Sequence, residues 1–196
     1  VDALDCDEKF KEIVEKAAIL HDIGKIGIRD SVLQKEGNLT DEEYKHIQEH
    51  VKITHDILEK IHTSDDFKQI TEIACSHHEK FDGSGYYRHL SGENIPFGGR
   101  ILAVADVFDA ITSKRHYRDK MPIQNVIDIL ISGKDKHFVW KLVDMFLKIP
   151  TYKIIKVFLT VNINSFKDED KELLSKYNLF DIYEFIVNDN TTNEQK

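Results

Sequence analysis

The sequence predicts an all-α protein, on three observations. Apolar residues recur at helical spacing through most of the chain. Thr40 and Glu43 form a capping box ahead of a long amphipathic segment. The stretch after Pro96 is apolar on nearly every side, as a helix buried inside a bundle is.

The first helix carries Phe10, Ile13, Val14, Ala17 and Ala18 on one face. His21 is the next position on that stripe, and Gly24 is the stop signal. A loop is expected from Gly27 to Asn38. The second helix runs from the capping box to about Ile61, with Tyr44, Ile47, Val51, Thr54, Leu58 and Ile61 as its stripe and His50 at the flank. The third, near Asp65 to Glu79, turns Phe67, Ile70, Thr71 and Ala74 inward, and His77 and His78 continue that face at the next turn. Gly83, Gly85, Gly92, Gly98 and Gly99 mark an ordered functional loop. A helix buried all round is expected over Phe97 to Thr112, then helices over Pro122 to Ile131 and His137 to Lys148. Beyond Ile149 the pattern weakens. Tyr152 to Val161 fits a strand or a helix, Lys167 to Lys176 fits a helix, and the polar Asn188 to Lys196 fit a disordered end. The chain thus reads as a core, 1–148, with a short C-terminal extension, 149–196. In the extension Ile154, Ile155, Val157, Phe158, Phe180, Ile182, Tyr183 and Phe185 suit packing on the core or on a second copy in a homodimer.

The 196 residues suit one domain with a small appendage. A net charge of −8 argues against non-specific DNA binding, which depends on neutralising phosphates. Basic residues do gather between Lys114 and Lys120, where a small anion could be held. No apolar run approaches the ~18 residues of a membrane span. The first twenty residues read as an amphipathic helix rather than a signal peptide. Two cysteines, Cys6 and Cys75, make no disulfide framework, so a cytoplasmic setting is expected. The chain starts at Val1 and reads as a piece of a longer protein.

Ten histidines make position the deciding question. A lone His21 on an apolar stripe reads as a hydrogen-bonded core imidazole. The adjacent Asp22 changes that, because a buried carboxylate is costly unless paired or bound to a metal. Of His77 and His78, one could be structural and one exposed, yet both extend a buried face. Asp106 lies in a helix with almost no polar side, where an Arg100 partner or a metal would keep it charged; Asp109 raises the same question. Together His21, Asp22, His50, His77, His78 and Asp106 offer mixed nitrogen and oxygen ligands from separate helices. Imidazole with carboxylate suits iron, manganese or zinc, and no cysteines stand at the spacing of a structural zinc site.

The strings His21-Asp22-Ile23-Gly24-Lys25-Ile26-Gly27 and His77-His78-Glu79-Lys80-Phe81-Asp82-Gly83-Ser84-Gly85-Tyr86 resemble the HD-GYP phosphodiesterases, a branch of the all-helical HD superfamily of metal-dependent phosphohydrolases. The resemblance runs from about Phe10 to Lys148. It implies an HD-domain-like helical bundle and two divalent metal ions, three in some members. Iron or manganese is expected, with zinc, nickel or magnesium in some preparations. The implied ligands are His21, Asp22, His50, His77, His78 and Asp106, with Asp22 bridging. Asp22 and Lys25 are the implied catalytic groups. Lys25, Gly83, Gly85, Tyr86, Arg115 and Arg118 are the implied substrate contacts. The implied reaction is hydrolysis of cyclic di-GMP to linear pGpG or to GMP in bacterial second-messenger signalling, under an upstream sensory or receiver domain.

The sequence departs from the family at three places. No His precedes His21, where members carry another ligand on an upstream helix, so inactivity of this stretch alone is expected. Tyr87 replaces a common Pro and should loosen the loop. His116, and Phe138-Val139-Trp140, stand where Pro and Phe-Asp-Pro are common. These departures keep two other readings open: a signalling or binding module without catalysis, and another HD-superfamily nucleotide phosphohydrolase.

Overall fold

The computed structural model describes residues 1–61, 64–112, 122–154 and 168–184. These are mostly helical, with isolated bridges at Lys134–Phe138 and Pro150–Asn178 and no strand among the described residues.

Helix α1 (Glu8–Leu20) opens where the Asp7 carboxylate accepts the Phe10 N–H at 2.8 Å, satisfying a donor that a helix start leaves without a partner. It buries Ile13, Val14 and Ala17. It ends before Gly24, and the chain winds on as a 3₁₀ turn, Ile23–Gly27. Gly24 acts by close approach instead of stopping the helix: a Cβ there would lie 2.0 Å from the His50 carbonyl oxygen and 2.5 Å from the Thr54 nitrogen. The expected loop then contains a short helix, α2 (Asp30–Leu33), pinned by buried Val32.

Helix α3 (Asp41–Ile61) starts with both bonds of the capping box, Glu43 N–H to Thr40 Oγ1 at 3.2 Å and Thr40 N–H to Glu43 Oε2 at 2.7 Å. Val51, Thr54 and Leu58 are buried as the stripe predicts, but Tyr44 and Ile61 are 53% and 54% exposed. A helix of 21 residues runs about 32 Å, twice the length of its helical neighbour α4 (Asp65–Ala74) and more, so the ends of its stripe lie beyond that neighbour.

Helix α4 is capped by Ser64, whose hydroxyl accepts the Phe67 N–H at 3.3 Å. It stops at Ala74 and not at Glu79. The Ser76 N–H bonds the Ile73 carbonyl three residues back, which tightens the chain out of the α-helix and carries His77 and His78 into a turn.

Helix α5 (Phe97–Thr112) separates two apolar clusters. Leu102 joins Ile13, Val14, Leu58, Ile70 and Ala74 on one side. Ala103, Val104 and Phe108 pack on the other against α6 (Ile123–Ser132) and α7 (Trp140–Leu147). Each fully buried Leu, Ile or Val there contributes roughly 1.5–3 kcal/mol. The helix is not buried all round, since Ala105 and Asp109 are exposed on a face that no described helix covers. Helix α7 starts three residues later than expected because the Lys136 and His137 carbonyls accept the Asp82 and Phe81 N–H groups, at 2.8 and 3.2 Å, and tie this segment to the glycine loop.

Residues 151–154 are helical, which settles Tyr152; α8 (Asp168–Ser175) and residues 179–184 follow. Ile154 and Leu179 are buried against the α6–α7 cluster, and the Tyr183 hydroxyl donates to Asp128 at 2.7 Å. The expectations for Ile155 to Val161, Phe185 and Asn188 to Lys196 lie outside the described residues. Among the described residues no helix is long and apolar enough to cross a membrane.

Candidate metal centre

Five elements bring the six inward side chains together. His21 caps the end of α1, Asp22 begins the turn, His50 lies on α3, His77 and His78 follow α4, and Asp106 sits on α5. Thr54 fixes the relation of α1 to α3: its hydroxyl accepts the Gly24 N–H at 3.0 Å and donates to the His21 carbonyl at 3.1 Å. That places Asp22 beside α3. Asp22 Oδ1 is 3.3 Å from His50 Nε2 and 3.9 Å from His77 Nε2, and Oδ2 is 3.3 Å from His21 Nε2. His21 Nε2 lies 3.6 Å from Asp106 Oδ1. The His78 ring packs 4.0 Å from His77 and 5.2 Å from His50, centroid to centroid.

The backbone sets the tautomers. Nδ1 of His21, His50 and His77 donates to the carbonyl three residues back, Ala18, Ile47 and Ala74, at 2.7, 2.6 and 2.6 Å. A carbonyl only accepts, so Nδ1 carries the proton in all three; on neutral His50 and His77 the Nε2 lone pair then points inward, while Nε2 of His21 faces the Asp22 and Asp106 carboxylates. His50 and His77 then aim lone pairs at each other across 3.4 Å, beside Asp22 Oδ1, a buried oxygen with no hydrogen-bond partner. Inward lone pairs and an orphaned carboxylate oxygen repel one another without a cation. The donors fall into two groups, His50, His77 and His78, and His21, Asp22 and His77, each within 4.8 Å and sharing His77. These residues fit a divalent cation held by nitrogen and oxygen, and the carbonyl bonds are the supports that ligating imidazoles use.

Charge follows the same layout. Burial alone would lower the His21 pKa, but the Asp106 and Asp22 carboxylates outweigh it and raise it to about 10. Burial lowers His77 to about 4. Burial, with His77 and His50 alongside, lowers His78 to about 2. Burial works against ionised Asp22, yet His21 and the Lys25 ammonium hold it well below the usual carboxylate range. Asp106 faces His21 and not Arg100, whose guanidinium lies over the Phe97 ring at 5.3 Å.

Among the expected catalytic and substrate residues, the Lys25 ammonium pairs with Asp22 Oδ2. Tyr86 stacks on His78 at 4.7 Å and 26°, and burial raises its phenol. Gly83 has φ +83°, a left-handed turn. Gly85 lies close to its own chain: a Cβ would meet Lys80 N at 2.3 Å and His78 O at 2.6 Å. Arg115 and Arg118, with His116, lie outside the described residues.

Sequence reasoning missed Glu79. Its side chain is buried and organises the loop, accepting the Tyr87 and Arg88 N–H groups on Oε1 at 3.4 and 2.7 Å and the Leu90 N–H on Oε2 at 3.0 Å. The expected loosening at Tyr87 is therefore offset, since its N–H, which Pro would lack, bonds Glu79. A Glu directly after the His pair was the only signal available.

A helical interior that gathers imidazoles and carboxylates from separate helices has the layout of a metal site of the HD kind. The chain belongs to the HD domain family, whose model matches residues 1–139. It is 42% identical over 142 residues to a 3'3'-cGAMP-specific phosphodiesterase of Vibrio cholerae, covering 72% of this chain and 27% of that protein. It is 42% identical over 143 residues to a cyclic di-GMP phosphodiesterase of Thermotoga maritima, covering 72% and 38%. It is 41% identical over 146 residues to a cyclic di-GMP phosphodiesterase response regulator of Xanthomonas campestris, covering 74% and 38%. The chain thus spans 27% to 38% of the length of these relatives.

Proposed function

We propose that the protein is a metal-dependent phosphodiesterase that hydrolyses a cyclic dinucleotide, cyclic di-GMP, to linear pGpG or GMP. The observation that carries this reading is the convergence of the His50 and His77 Nε2 atoms, 3.4 Å apart, on the orphaned Asp22 Oδ1. The names of the relatives, all phosphodiesterases of cyclic dinucleotides, support the substrate. His21, Asp22, His50, His77, His78 and Asp106 would hold two divalent ions, three if a further ligand joins them. Asp22, which turns Oδ2 to His21 and Oδ1 to His50 and His77, supports that number, and a donor set of imidazole nitrogen and carboxylate oxygen suits iron or manganese. Bound there, the ions supply charge neutralisation at the phosphate and an activated water.

The chain's own residues do the rest. Asp22 lies between the two donor groups and serves both. Lys25, 37% exposed, stands at the edge of the cluster, where its ammonium can neutralise a phosphate oxygen. Gly83, Gly85 and Tyr86 shape the wall over His78, and Glu79 holds that wall in register. Arg115 and Arg118 belong to the reading through the family resemblance as holders of the substrate phosphates. A core over 1–148, a sensory or receiver domain elsewhere in the polypeptide and a cytoplasmic setting complete it; the greater length of the relatives and the free cysteines support the last two.

The test is anaerobic loading with manganese or iron, incubation with cyclic di-GMP and chromatography of the products. Linear pGpG or GMP is expected from the protein and not from its Asp22→Asn variant. No turnover at full metal occupancy, in the longest protein that carries this chain, overturns the reading.

A further inference from the structure

Along the N-terminal part of α3, ending at Ile47 one turn before His50, lies a cleft of about 470 Å³. Buried Val32, with Leu39 and Ile47, gives it apolar walls, and the exposed Asn38, Asp41 and Tyr44 bring polar groups and an aromatic face. Its volume falls in the range of small-ligand sites, about 300–1,000 Å³.

The cleft and the cluster share helix α3. Tyr44, Ile47 and His50 follow one another at three-residue steps, so they run along one side of the helix, and Tyr44 stands about 9 Å along the axis from His50. The Ile47 carbonyl is the group that orients His50. The reacting phosphate and a base linked to it are separated by a comparable span. Tyr44 begins the apolar stripe of α3 yet is 53% exposed, leaving its ring available for stacking.

We propose that this cleft is a base-binding subsite, in which Tyr44 stacks on one purine of the dinucleotide while Asp41 and Asn38 read its edge. The proposal rests on the phosphodiesterase reading above. The chemistry favours guanine. An ionised carboxylate only accepts hydrogen bonds, and guanine presents its N1–H and amino group side by side. Adenine presents an acceptor at N1, which would face Asp41 with like polarity. Stacking on tyrosine is tolerant of sequence, so Tyr44 supplies affinity and Asp41 the preference.

The test is calorimetric titration of the manganese-loaded protein with non-hydrolysable phosphorothioate analogues of cyclic di-GMP and of cyclic di-AMP, with metal content and melting temperature measured on every sample. Tyr44→Ala should weaken cyclic di-GMP binding about tenfold or more, Tyr44→Phe should stay within about twofold of wild type, and Asp41→Asn should cut the preference for cyclic di-GMP over cyclic di-AMP by about fivefold. Metal content and melting temperature should not change in any variant. Wild-type affinity in Tyr44→Ala overturns the subsite and leaves the phosphodiesterase reading standing. A wild-type protein that binds neither dinucleotide overturns both.

Discussion

On the α6–α7 side of α5 the interior is filled by Val126, Ile127, Leu130 and Val143, all at 0% exposure. On the other side His50 is equally buried, at 0%, with His77 at 3%, beside the carboxylates of Asp22 and Asp106. The first interior stabilises itself, because apolar surface leaves water and close packing follows. The second does not. Its lone pairs and carboxylates crowd together, and a buried polar group without a partner costs roughly 1–3 kcal/mol. The contrast separates apolar packing that holds the fold, on both sides of α5, from a polar pocket on the α1–α4 side whose arrangement makes sense around a cation. Helix α5 joins them, with Leu102 on the α1–α4 side, Val104 and Phe108 on the apolar side and Asp106 at the cluster.

The contrast can be broken from either side. Leu130→Ala should cost about 2–5 kcal/mol and lower the melting temperature, while the manganese bound per folded chain stays at the wild-type value. Loss of metal in step with stability would show the two to be one unit.

Acid should act through the polar pocket. His77 is held near 4 when folded against 6.5 when free, so its contribution is complete above pH 6.5 and is lost as the pH falls through 4, on the order of 3 kcal/mol. His21 works in the opposite sense. Its pKa is raised to about 10, so its contribution is complete below pH 6.5 and is lost as the pH rises through 10. The metal-free chain should therefore melt highest near pH 6.5, and His77→Asn should make the acid limb shallower, the remainder coming from His78, which is lowered in the same direction. An unchanged acid limb in that variant would place the titration elsewhere.

Glu79→Gln should cost about 1–3 kcal/mol, because an amide group replaces one of the two oxygens that accept loop N–H groups. Hydrogen exchange at Arg88 and Leu90 would locate the loss. Tyr87→Pro should have the smallest effect, within about 1 kcal/mol of wild type: it removes the bond to Glu79 and stiffens the unfolded chain by a similar amount.

The helical class and the residues of the cluster were legible because helical spacing marks which side chains face inward, and His21, His77 and His78 continue apolar faces. The end of α4 was not legible. No Gly or Pro follows Ala74, and the turn that replaces the helix is set by one short-range bond at Ser76. Glu79 was hidden because its partners come from Tyr87, Arg88 and Leu90, in a loop whose path has no periodicity to read. Tyr44 fitted the stripe of α3, but a stripe does not tell where the neighbouring helices stop covering it.

The central claim, that the polar interior is built around divalent cations, is tested most directly by the melting temperature of the chelator-treated protein as manganese is added. Binding to the folded state alone stabilises it by about 2.7 kcal/mol at a hundredfold excess over Kd. The account predicts a rise that saturates, is absent in His50→Ala and is retained in Leu130→Ala from that variant's lower starting point. A wild-type melting temperature that does not move with manganese would contradict it.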